Sequence, residues 1–151
     1  MNSLPDRRRL LVFSQFRQQR GEQAVLRTQQ QLQPLRGELA GFEGQEASLQ
    51  NLLASHRATD CVLDHGQLLA LLRTQAVIRR QIDLVRLERD RVDGQCRQIE
   101  LSLQAQREQL RGLQRKHDTY QRSVQQLVRA QRLEQVRREE RETEEMTGVK
   151  R

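Results

Sequence analysis

Residues 68–82, Leu-Leu-Ala-Leu-Leu-Arg-Thr-Gln-Ala-Val-Ile-Arg-Arg-Gln-Ile, place apolar side chains at 68, 71, 78 and 82, with Gln75 in the remaining position of a three-and-four step. The step continues without slipping through Val85, Arg89, Val92, Cys96, Ile99, Leu103, Gln106, Leu110, Leu113, His117, Tyr120, Val124, Leu127, Gln131 and Glu134. Fourteen of these twenty positions are apolar, counting Cys96 and Tyr120. A narrow stripe repeating every 3.5 residues over this length specifies a coiled coil. An ordinary amphipathic helix buries a broader face, and a disordered chain keeps no phase.

Working towards the N-terminus, a second run in the same step holds Val25, Leu32, Leu35, Leu39, Phe42, Leu49 and Leu53, with Thr28 and Glu46 at the missed positions. Between the runs lies Arg-Ala-Thr-Asp-Cys-Val-Leu-Asp at 57–64. Asp64 followed by Gln67 is a capping-box pattern, which starts a helix near His65. Two heptad runs around one short break predict an all-α fold, a long antiparallel two-helix coiled-coil hairpin with unequal arms. The expected layout is one hairpin over 1–151: helix one about 5–56, turn about 57–64, helix two about 65–142, then a frayed C-terminal tail. Pro5 suits a first helical turn. Pro34 should kink or locally break helix one, and with Gly37, Gly41 and Gly44 it makes 34–44 the weakest helical stretch.

A fold-back near residue 60 would set Leu53 against Leu68, Leu49 against Leu71, Phe42 against Ile78, Leu39 against Ile82 and Leu35 against Val85. Glu46 would meet Gln75, either as a polar layer that fixes register or by coincidence. The same register puts Arg7 near Leu113 and leaves His117, Tyr120, Val124 and Leu127 without a partner in the chain. Such a stripe marks an interaction site, unless the register is wrong or the end folds back. Leu69, Leu72 and Ala76 form a second stripe near the tip, followed by Val77, Arg79 and Arg80. It is either a docking face or a flank half-buried by the other helix.

The 151 residues agree with this architecture: 35% are hydrophobic, 3% aromatic and 31% charged, which is too little apolar surface for a layered globule. There are 24 Gln, 25 Arg and 23 Leu, all good helix formers. The net charge of +7 invites a nucleic-acid reading. The excess is concentrated in residues 65–133, with 14 basic and 7 acidic groups. Many can pair along the helix, as in Arg79 with Asp83, Arg86 with Asp90 and Asp93 with Arg97. Tyr120 is the sole aromatic of helix two, so bases find no stacking platform there; no nucleic acid is expected as a partner. The acidic end at 139–145 reads as solvated or as a site for a basic partner.

No enzyme is expected. His56, His65 and His117 are dispersed, no Ser, His and carboxylate converge on a hairpin, and no phosphate-binding glycine loop is present. Cys61 and Cys96 lack metal-ligand spacing and fall far apart along the helix, so neither a metal site nor an internal disulfide is expected. No cofactor is expected. No apolar run reaches the roughly 18 residues of a membrane span, and the start of the chain lacks a secretory leader's apolar core. The expected compartment is therefore the cytoplasm, without direct membrane insertion.

Residues 71–82, Leu-Leu-Arg-Thr-Gln-Ala-Val-Ile-Arg-Arg-Gln-Ile, resemble the equivalent stretch of the type III secretion central stalk proteins, in the InvI/SpaM branch related in role to FliJ and YscO. The similarity extends to Val25-Leu26-Arg27-Thr28-Gln29, to Lys116 with Tyr120-Gln121-Arg122, and to the acidic end. Ser123, where relatives carry a large aromatic, and the Pro34 glycine cluster depart from the pattern. The resemblance implies a cytoplasmic stalk at the sorting platform beneath the inner membrane. Its helix termini would enter the pore of a hexameric secretion ATPase, and its hairpin end would approach the export gate. The implied contacts are Tyr120, Arg122, Val124, Leu127 and Arg129 for the ATPase pore, and Leu69, Leu72, Arg79 and Arg80 for the gate. Secretion chaperones would be further partners, and virulence the physiological setting. The competing reading is a coiled-coil scaffold or chaperone-binding adaptor that touches no ATPase.

Overall fold

The computed structural model describes residues 3–57, 59 and 61–149. The parts of the expected turn at Ala58 and Asp60, and of the chain ends at 1–2 and 150–151, lie outside the described residues. The fold is an all-α hairpin of two helices, α1 over Leu4–Ser55 and α2 over His65–Val149. α2 continues past the expected limit near 142 to Val149, through Glu144, Glu145 and Met146, which favour helix.

Each helix starts as its sequence dictates. The Asp64 carboxylate accepts from the Gln67 amide at 2.6 Å, and the Gln67 side chain accepts from the Asp64 amide at 3.2 Å. That reciprocal pair is the predicted capping box. At the start of α1, the Ser3 hydroxyl accepts from the Asp6 amide at 3.4 Å, and Asp6 sets a negative charge at the positive helix end. α1 closes with tightened turns, His56 bonding to Leu53 and Arg57 to Ala54 through their backbones.

Pro34 does not break α1, which stays helical through it. The proline forfeits one backbone hydrogen bond. Next to it Leu32 is buried, with Leu35, Leu39 and Phe42 half-buried behind it. Fully burying such a side chain contributes about 1.5–3 kcal/mol and half-burying it a fraction of that, and together they hold the helix across the defect.

The chain divides into two compact units. The turn-bearing unit, Leu26–Gln104, holds the apolar core: Leu32, Ile78, Ile82, Val92, Cys96 and Leu103 are buried, Val92 completely. Every seam position expected in it from Thr28 to Leu53 and from Leu71 to Leu103 is buried or half-buried. The register, however, differs from the expected one. The Gln75 amide donates to the His56 carbonyl at 2.8 Å, and Glu46 meets Arg86 and Arg89 instead of Gln75. His56 and Gln75 add to 131, about ten more than a fold-back at residue 60 requires. The expected pairs, Leu53 with Leu68 and those following it, are displaced accordingly, and Leu68 is exposed.

The connection explains the shift. Non-helical chain advances about 3.3 Å per residue against about 1.5 Å in a helix. The described residues of the connection, Arg57, Thr59 and 61–64, are not helical, so a few of them span the first turns of α2, and α1 ends level with Gln75. Residues 61–70 are exposed throughout.

The termini-bearing unit comprises Met1–Val25 and Ala105–Arg151. Here Ser14 meets His117, and Gly21 faces Leu110 and Leu113. Leu4, Arg7, Leu11, Ser14, Gln18, Gly21 and Val25 continue the three-and-four step of α1, each buried or half-buried. Arg7 donates to the Ser123 hydroxyl. The stripe from His117 to Leu127 is thus half-buried against α1, correcting the expectation that it lacks a partner in this chain. The misplaced register produced that expectation.

Candidate interaction surfaces

In the turn-bearing unit the most polar layer is also the best organised. One carboxylate oxygen of Glu46 accepts from Arg86 Nε at 2.7 Å, and the other from Arg89 Nη1 at 2.8 Å. Bonding to Glu46 and its charge push the Arg86 guanidinium above its usual pKa. Glu46 and Arg89 are both gaps in the apolar seam, so each gap fills the other. Charge-assisted pairs of this geometry set register. Arg36 with Glu100 at 3.5 Å adds an exposed bridge, worth little by itself.

Residues 68–72 lie beyond the end of α1, while Ala76 to Arg80 stand alongside its last turns. Leu69 and Leu72 are exposed, together with Val62, Leu68 and Val77, and Ala76, Arg79 and Arg80 are exposed beside them. The alternative of a half-buried flank does not hold, because α1 stops level with Gln75. What remains is an apolar patch with two arginines along one edge.

Of the residues singled out for the ATPase, Tyr120, Val124 and Leu127 are half-buried in the seam, and Arg122 and Arg129 are exposed. From Arg129 to Gly148 every residue of α2 is exposed, including Leu133, Val136 and Met146. This stretch carries the acidic run at 139–145 and internal i,i+4 contacts such as Arg138 with Glu134 at 2.8 Å. The unpartnered part of α2 thus begins about twelve residues later than the sequence suggests.

A third surface was not anticipated. Val12, Phe13 and Phe16 stand exposed on the outer face of α1 and form a shallow groove with Arg8 and Arg9. Arg17 lies 5.8 Å from the centroid of the Phe13 ring, and Arg20 lies 5.8 Å from that of Phe16. Guanidinium on an aromatic face is a favourable contact. The signal was available: these residues fall off the heptad phase once that phase is carried back to Leu4.

Ser14 and His117 approach to 2.9 Å, so a serine and a histidine do come together. Ser14 is only 6% exposed and also donates to the Leu11 carbonyl at 3.0 Å. The contact bridges the two helices inside the seam. Cys96 is buried and Cys61 exposed, both as free thiols. Burial pushes the Cys96 thiol pKa up, helped by Glu100 and Asp93. Among the described residues no group of three His, Cys, Asp or Glu is placed to hold a metal, and no helix is long and apolar enough to cross a membrane.

An all-α hairpin of two long helices with a heptad seam between them is a coiled-coil protein. The particular family follows from comparison: the family model described as Salmonella surface presentation of antigen gene type M protein matches residues 6–147, and the chain belongs to that family. Its role is in type III secretion, as a component of the secretion apparatus. Neither the curated proteins nor the solved structures gave a match.

Proposed function

We infer that this chain is the central stalk of the type III secretion apparatus, inserting its termini-bearing unit into the hexameric secretion ATPase and presenting its turn to the export gate. The observation that carries this reading is the free end of α2. Twenty consecutive residues, Arg129 to Gly148, are helical and exposed, a long helical stretch with no partner helix among the described residues. Arg122 and Arg129 lead into it, over the half-buried Tyr120, Val124 and Leu127. The tip patch of Leu69 and Leu72 with Arg79 and Arg80 is the corresponding surface for the gate.

The mechanism follows from symmetry. One asymmetric hairpin in a six-fold ring contacts the subunits unequally. Contacts that differ between subunit conformations shift the ring's equilibrium, and only differential affinity can do so. The stalk binds no nucleotide itself; it favours ring assembly and particular nucleotide states of its partner. Adding the purified chain to the secretion ATPase should raise ATP turnover and the fraction of closed rings. Unchanged turnover and oligomer state, with no binding, would instead favour a scaffold or chaperone adaptor.

A further inference from the structure

We propose that two copies of this chain associate through their termini-bearing units, the acidic end of α2 of each copy lying along the arginine-flanked aromatic face of α1 of the other. The two surfaces match in chemistry and in order. On α1, Arg9, Phe13, Phe16 and Arg20 recur at steps of four, three and four, with Arg17 beside them. Residues 7–21 of α1 hold five arginines and no acid. Phe13 and Phe16 are 57% and 54% exposed, an unusual degree for two of the chain's three phenylalanines.

On α2, Ala130, Leu133, Val136, Glu140 and Glu144 recur at helical spacing along the free end. Both segments therefore hold an apolar pair followed by a charged pair, Phe13 and Phe16 before Arg17 and Arg20, and Leu133 and Val136 before Glu140 and Glu144, with opposite charges; on α1, Arg9 stands ahead of the pair as well. Laid parallel, Leu133 comes beside Leu10, Val136 beside Phe13, Glu140 beside Arg17 and Glu144 next to Arg20. Arg138 is already engaged by Glu134 of its own helix, which leaves the glutamates to face the arginines.

The occupant must come from a second copy. α1 starts at Leu4 and is antiparallel to α2, with Arg7 bonded to Ser123. α2 then runs helical to Val149, leading away from α1 of its own chain. A two-fold axis repeats the contact, so a modest patch counts twice in the dimer. Each free end would then be the third helix on its partner's hairpin.

The test uses the full chain alone, by sedimentation equilibrium from about 1 to about 100 μM, a range that brackets micromolar affinity. A monomer–dimer equilibrium is expected. Phe13→Ala with Phe16→Ala should weaken it at least about tenfold, while circular dichroism shows helicity retained. Arg17→Glu with Arg20→Glu should weaken it, as should Glu140→Arg with Glu144→Arg, and mixing these two variants should restore association as a heterodimer. A monomer throughout the range would overturn the proposal, as would a dimer indifferent to the phenylalanines, or charge variants that fail to restore each other. Nucleic acid co-purifying with the wild type and lost on substituting Phe13 and Phe16 would assign the face to another occupant and overturn it too. No ATPase is present, so a monomer leaves the stalk reading standing and a dimer lends it nothing.

Discussion

Val92 in the turn-bearing unit has no exposed surface, whereas the one buried residue among the described residues of the termini-bearing unit is Ser14, which keeps 6% of its surface exposed. Both units use the same heptad step and the same two helices. One fills most of its seam with Leu, Ile, Val and Cys, its polar positions being Thr28, Gln75 and the Glu46 clamp. The other fills it with Ser14 and His117, Arg7 and Ser123, and Gly21 beneath two leucines. Apolar burial drives association, while polar contacts inside a seam mostly recover what desolvation costs. The turn-bearing unit is thus the stable element, and the termini-bearing unit the adaptable one. For the proposed insertion of the termini into the ATPase, that division suits function, since binding surfaces come from the less stable parts of a fold.

The largest effect that could break this comparison is a charge in each seam. Val92→Asp should cost about 3 kcal/mol or more, and half-exposed Val124→Asp only about 1 kcal/mol. Thermal melts followed by circular dichroism compare the two, and equal losses would abolish the distinction. Next comes the clamp. Glu46→Ala strips two guanidiniums of their shared acceptor and should cost about 1–2 kcal/mol. Replacing Glu46 and Arg89 together by Leu should be nearly neutral in denaturant yet loosen the register, visible as a spread of spin-label distances between the helices.

Smaller changes sharpen the contrast. Making the Ser14 and His117 layer apolar, as Val and Leu, should gain about 1 kcal/mol and slow amide exchange around both positions. In α1 a Cβ at Gly37 or Gly44 meets open space, so Gly37→Ala and Gly44→Ala should each stabilise by about 0.5–1 kcal/mol. Gly21→Ala should gain less, because its Cβ would stand 3.1 Å from Leu110 Cδ1. The least effect is that of pH. The folded Cys96 thiol keeps its proton to higher pH than the unfolded chain. Stability should therefore fall as pH rises past the ordinary thiol value of 9.0. Exposed Cys61 should react with a thiol reagent before buried Cys96 does.

Much of this was legible in the residues. The step from Leu71 to Leu127 identified the half-buried side of α2, and Asp64 with Gln67 identified where α2 starts. The register was not legible, because heptads repeat and only the connection's path selects among them. Nothing in the sequence of 57–64 announces that α1 ends level with Gln75. That one error made the stripe at His117–Leu127 look unpartnered and moved the true free end to Arg129. The tip patch at Leu69 and Leu72 was readable, since it leaves the seam phase in a strongly periodic stretch. Phe13 and Phe16 were passed over because the seam beside them, Arg7, Ser14, Gln18 and Gly21, is too polar to show its phase without the partner helix.

The central claim, that the two units serve two different partners, is tested most directly by photo-crosslinking. A photoreactive residue is placed singly at Arg129, Leu133, Leu69 or Leu72, and each variant is irradiated with the secretion ATPase. Positions 129 and 133 should capture the ATPase, and positions 69 and 72 should not. Capture from the tip alone, or from none of the four, would contradict the account.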